Sequence, residues 1–100
     1  MRSRYTAYKL SLAKYIIKTT HKNNIDYTKD FLSWEKEILQ FSTNFTFEKL
    51  KILEFIEGNE ISYVTFHAKL ALNEKDNSFT EKSKFEKVDN RWLYLSGVHL

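Results

Sequence analysis

FTEKSKFEKVDNRWLYLSG, residues Phe79 to Gly97, is the stretch on which the fold turns. Side chains alternate across a strand with a period of two. Phe79, Glu81, Ser83 and Phe85 therefore share one face, while Lys82, Lys84 and Glu86 read as a solvated one. Asp89-Asn90 joins this strand to a second, in which Trp92 and Tyr94 lie on one side and Leu93 and Leu95 on the other. A carboxylate and a hydroxyl between two phenylalanines describe an apolar sheet face with polar groups set into it. Such a face is the inside of a pocket, or it holds a buried ion pair.

Working back along the chain, Val64, Phe66, Ala68, Leu70 and Leu72 point one way and Tyr63, Thr65, His67 and Lys69 the other. This strand follows a tight turn at Gly58-Asn59. Phe45 to Glu57 alternates with a break, because Phe47 is out of phase by one with Leu50 and Ile52, which predicts a bulge or bend. Asn73 to Ser78 reads as a polar loop.

Upstream of Phe45 the period is about 3.6 rather than 2. Phe31, Trp34, Ile38 and Phe41 form an apolar stripe with Lys36, Glu37 and Gln40 on the wet side. Asp26 or Thr28 is the expected start of this helix and Ser42-Thr43-Asn44 its end. Met1, Tyr5, Tyr8 and Leu12 make an earlier stripe, carried on by Leu12, Tyr15, Ile16 and Thr19. Two short helices are predicted here, with Ser11 as a cap for the second, ending in the turn-prone His21-Lys22-Asn23-Asn24. Helices first and antiparallel strands after them predict a single α+β domain over residues 1–100, N-terminal helices packed on a curved antiparallel sheet. Closed by its helices, a curved sheet makes a cone with room for a cavity.

Composition narrows the function. One hundred residues, 42% hydrophobic and 16% aromatic, belong to a folded domain with a modest core. Net charge is +3, from sixteen basic and thirteen acidic residues scattered along the chain. Neither a basic stripe nor exposed aromatics interleaved with it is evident, so nucleic acid is not an expected partner. With no cysteine there is no disulfide and no thiolate zinc site, and three histidines without a paired motif argue against any metal. No apolar run approaches the roughly 20 residues of a membrane helix. No signal-type segment follows the basic opening, and the cytoplasm is the expected compartment.

Glu81 is the most informative residue. On an apolar face an ionised carboxylate must be paired or hydrogen-bonded. Arg2 or Arg4 is the expected partner, with Ser83 and Tyr5 as hydrogen-bonding neighbours. The preferred reading is a pair that locks helix to sheet without chemistry. Tyr5, Tyr8, Trp34, Trp92 and Tyr94 form an aromatic set that is core at these spacings, some of it lining a pocket. His21 sits at a helix end and His67 on the outer face of the sheet. The candidate polar cluster is thus Arg2, Arg4, Tyr5, Tyr8, His21, Trp34, Glu81 and Ser83.

The pattern also carries a resemblance. MRSRYTAY, then YIIKTTH at residues 15–21, Val64-x-Phe66-x-Ala68, Glu81-x-Ser83-x-Phe85 and Arg91-Trp92-x-Tyr94-x-x-Gly97 together resemble the central domain of the uncharacterised YchJ-like bacterial family. The resemblance implies a nuclear transport factor 2-like cone. Such proteins usually flank this domain with cysteine-rich SEC-C segments thought to bind zinc. Here the expectation is the domain without those flanks, and zinc is not carried over. Four positions depart from the family's pattern: Thr80 for a His, Lys22 for a Pro, and Ser11-Leu12 for Gly-Asp.

Two function classes stay open. The favoured one is a non-catalytic binding or protein-interaction module, its partner a protein or small molecule, with a homodimer through the outer sheet face as candidate assembly. The other is a pocket enzyme of isomerase or dehydratase type using Glu81, His21 and a tyrosine as acid and base. Neither requires a cofactor.

Overall fold

The computed structural model covers residues 1–100. Helices α1 (Arg2–Lys9), α2 (Ala13–Lys18) and α3 (Phe31–Asn44) precede strands β1 (Phe45–Ile56), β2 (Ile61–Leu72), β3 (Lys75–Asp76), β4 (Phe79–Val88) and β5 (Arg91–His99). All strand pairs are antiparallel, in the order β1-β2-β4-β5, with β3 paired to the end of β2. The expected polar loop at Asn73 to Ser78 therefore contains a short return strand. Asn73 and Glu74 turn it with φ of 52° and 66°, both in the left-handed region. Asp89 and Asn90 make the β4–β5 turn in the same way, with φ of 50° and 64°.

Register puts one face of the sheet inside. Val64 lies opposite Ser83, Phe66 opposite Glu81 and Ala68 opposite Phe79. Strand β1 slips register twice, between Phe47 and Lys49 and between Ile52 and Glu54. The first slip adds one residue, which is how Phe47, Leu50 and Ile52 all reach the same core, and the second adds Leu53 and sets Phe55 opposite Val64. A further irregularity between Lys84 and Phe85 lets Tyr94, and not Leu95, face Phe85 across the β4–β5 pair. The bulges bend the sheet around the helices.

Two small cores result. Phe47, Val64, Phe66, Ala68, Leu70 and Phe85 form one on the sheet. Ala7, Ala13, Ile16, Trp34 and Ile38 form the other among the helices, and Tyr8 touches both. Only 18 of the 100 residues are buried, so the layers cover one another incompletely and space is left between them.

The helix ends correct three expectations. Ser11 does not cap α2; it ends α1 with φ 59°, its amide donating to the Tyr8 carbonyl and the Leu12 amide to Ala7. This is a left-handed helix stop, the position where glycine is favoured because it has no Cβ to clash. Leu12 is consequently turned outward, 50% exposed, and does not continue the stripe. Helix α3 starts later than Asp26 or Thr28: Asp30 is its cap and accepts from the Ser33 amide at 3.2 Å. The expected solvated face of Lys82, Lys84 and Glu86 is half-buried, with the Lys82 ammonium 5.0 Å from the centre of the Tyr63 ring.

Replacing Ser11 with Gly is expected to stabilise the fold by up to about 1 kcal/mol, since a non-glycine residue in the left-handed region carries a steric cost. The thermal midpoint should rise by a few degrees, and an unchanged or lower midpoint would count against a strained stop at Ser11.

Candidate functional site

Glu81 points inward from near the start of β4 with its side chain 12% exposed. Its Oε2 accepts hydrogen bonds from the Ser83 hydroxyl on the same strand and from the Tyr94 phenol at 3.1 Å. Its Oε1 lies 3.4 Å from His99 Nε2 at the end of β5. The expected direct arginine partner is absent. Arg4 instead lies over the Tyr94 ring, 4.7 Å from its centre, so the phenol stands between guanidinium and carboxylate. A phenol accommodates both: its π face attracts the cation and its hydroxyl donates to the anion.

Arg4 is anchored from its other side by the second helix. Its Nη1 donates to the Ile16 carbonyl at 3.2 Å, the Thr19 hydroxyl at 2.7 Å and the Thr20 hydroxyl at 3.3 Å. Burial, above all, lowers its pKa below the usual arginine value. Tyr94 is held through its backbone too: its amide donates to Thr19 and its carbonyl accepts from His21, at 2.8 and 2.9 Å. The stretch that leaves α2 thus pairs in parallel with β5, and Asn24 completes the clasp by donating to the Leu95 carbonyl at 2.8 Å.

Gly97 makes this arrangement possible. It faces Ser83 across the β4–β5 pair, and a Cβ there would overlap both the Glu81 carboxylate and the Tyr94 hydroxyl. A side chain at residue 97 and the carboxylate cannot occupy the same space.

Above the cluster, between α1, α3 and the sheet, lies a cavity of about 470 Å³. Phe41, Phe47, Phe66 and Phe79 contribute apolar wall, and Arg4, Tyr8, Glu81 and Tyr94 contribute polar points. Burial raises the phenol pKa of Tyr8. Burial first, then the Glu81 charge and its hydrogen bond, push Tyr94 well above the ordinary tyrosine value. The Tyr5 hydroxyl is buried without any hydrogen-bond partner.

Of the candidate cluster, Arg4, Tyr5, Tyr8, Trp34 and Glu81 line this cavity, and Ser83 lies fully buried beneath Glu81. Tyr5 is not a neighbour that donates to Glu81; Tyr94 fills that role. Arg2 is exposed and takes no part. His21 is buried elsewhere, its Nδ1 accepting from the Asn23 amide and its Nε2 lying 3.5 Å from Glu86, so it does not form an acid–base couple with Glu81. His99 is the histidine that reaches Glu81, and sequence reasoning missed it. Extending the β4–β5 alternation past Gly97 could have found it, because Glu81 and His99 are directly opposed. No group of three or more His, Cys, Asp or Glu side chains is placed to hold a metal.

Residues 1–97 match the family model described as the YchJ, middle NTF2-like domain. The chain is 33% identical over 100 residues to a UPF0225 protein of Enterobacter sp. (strain 638), covering 98% of this chain and 62% of that protein. It is 34% identical to a UPF0225 protein of Pectobacterium carotovorum subsp. carotovorum, covering all of this chain and 64% of the relative. The chain thus spans a little under two thirds of those two relatives. Among solved structures it is similar to a SEC-C motif containing protein from Rhodopseudomonas palustris, at TM-score 0.86 and 28% identity over all of this chain and 75% of that one.

Two measurements check the cluster. Gly97→Ala is expected to cost about 1–3 kcal/mol, the usual range for forcing an extra carbon into a packed site. A urea midpoint equal to that of the parent would show that the carboxylate has room to move aside. Because Tyr8 and Tyr94 have raised folded-state pKa values, they favour the folded chain fully below their unfolded value of about 10 and lose that contribution as pH rises beyond it. Stability should therefore fall above about pH 10, and more gently in Tyr94→Phe, which has no phenol there to ionise.

Proposed function

The chain belongs to the family of the YchJ middle NTF2-like domain, and we propose that it serves as a non-catalytic binding module, taking a small, largely apolar molecule into the cone. The observation that carries this reading is the 470 Å³ cavity walled by phenylalanines, with a few polar groups converging on it. That volume and that make-up are usual for small-molecule sites. The cluster supports it from below. Tyr94 connects Glu81, which its hydroxyl reaches, to Arg4, which lies over its ring, and a wall tied together in this way limits the ordering cost of binding.

The acid–base alternative lacks support from the same residues. Both oxygens of Glu81 are engaged, Oε2 with two hydroxyl donors and Oε1 facing His99. The raised pKa of Tyr94 makes it a poor proton donor near neutrality. His21, the third member of that scheme, is turned to Glu86. No helix is long and apolar enough to cross a membrane.

A single probe separates the two readings. 2-Tetralone, an apolar ketone with exchangeable α-protons, is titrated into the chain in D₂O. Amide shifts report binding and proton spectra report exchange. The expected outcome is saturable shifts around Tyr8, Phe41 and Phe66, with α-proton exchange no faster than in buffer. Exchange that accelerates and is lost in Glu81→Gln would replace the binding module with the enzyme. Absence of shifts at millimolar ketone would remove the cone as a ligand site.

A further inference from the structure

A second cavity, of about 550 Å³, opens where α1 and α2 meet the far end of the sheet beside the β4–β5 turn. Phe55, Val64, Phe85 and Trp92 give it apolar walls. Its charged lining residues are Arg4, Lys18 and Arg91, all cations, with no carboxylate among the residues that line it. The cone differs in this respect, since Asp26, Glu37 and Glu81 border it.

Arg4 stands on the wall of both cavities and is the group that needs explaining. It is 6% exposed, forms no ion pair with any carboxylate, and makes all of its hydrogen bonds through Nη1. Glu81 acts on this guanidinium only through space, across the Tyr94 ring, so no carboxylate is in direct contact with it. The planar fork of Arg4 suits a carboxylate. Lys18 and Arg91 are exposed and so sit at the rim, where they would draw an anion inward. Phe55 and Trp92 are exposed as well, at 59% and 37%, and offer apolar surface to an incoming planar body, one face of Trp92 being taken by the Lys87 ammonium 5.8 Å from a ring centre. Ser62, buried in the same wall, accepts from the Gly58 amide at 3.3 Å and keeps its own proton to donate.

We propose that this second cavity binds an aromatic carboxylate, with the acid group at Arg4, the rim held by Lys18 and Arg91, and the ring between Phe55 and Trp92. The two cavities share the Arg4 wall, but this proposal does not rest on the cone and would stand if the cone proved empty.

2-Naphthoate and its uncharged counterpart 2-naphthamide are titrated into the 100-residue chain, with amide and indole shifts followed by NMR. Naphthoate should produce saturable shifts at the Trp92 indole and at Lys18 and Ser62, and naphthamide should bind at least about tenfold more weakly. The double variant Lys18→Gln/Arg91→Gln, altered only at exposed positions, should keep the parent melting temperature and also weaken naphthoate by at least about tenfold. Equal affinity for acid and amide overturns the proposal. So do shifts centred on Tyr8 and Phe41, unaltered binding in the double variant, or no saturable shift at millimolar naphthoate.

Discussion

Tyr94 joins the two layers of this protein through its backbone and its side chain together. Its backbone pairs with the stretch leaving α2, its ring lies under the Arg4 guanidinium, and its hydroxyl donates to Glu81. Helix α1, the stretch leaving α2, β4 and β5 therefore meet at one residue. A phenol can do this because it is polar at one end and quadrupolar over its face. A direct Arg–Glu pair would have held the same layers by charge alone, with two desolvated ions and a closed space between them.

The interposed ring has a consequence for the shape of the molecule. It keeps Arg4 and Glu81 apart, so neither neutralises the other by contact, and each is left on a cavity wall. The sheet bulge after Phe47 sets Phe47, Leu50 and Ile52 on one curved face. A domain with so few buried residues holds together through such local clasps, because burial alone contributes less in a core this small.

Much of the fold was legible from periodicity. The shift from a period near 3.6 to one of 2 at Phe45, the phase slip after Phe47 and the turn at Asp89-Asn90 all appear in the structure where the pattern put them. The inward direction of Glu81 followed from its place between Phe79 and Phe85, since strand geometry leaves no other choice. Helix ends were less legible. Ser11, Asp26, Thr28 and Asp30 are all chemically suited to caps, and which of them serves depends on the path of the neighbouring backbone. His99 lay beyond a reading that stopped at Gly97, and the irregularity at Leu95 that sets Tyr94 opposite Phe85 breaks the alternation with no residue type to mark it.

The partners of the candidate site belong to a different level. The sequence by itself determined the α+β class, the strand phases and the presence of a carboxylate on the inner face, because these depend on covalent alternation and on side-chain polarity along one strand. Only the tertiary structure decided that Arg4 meets Tyr94 and not Glu81, that His21 turns to Glu86, and that Gly97 leaves the space the carboxylate fills. Those outcomes depend on ångström-scale distances between segments far apart in the chain, and no periodicity within a segment encodes the distance to another.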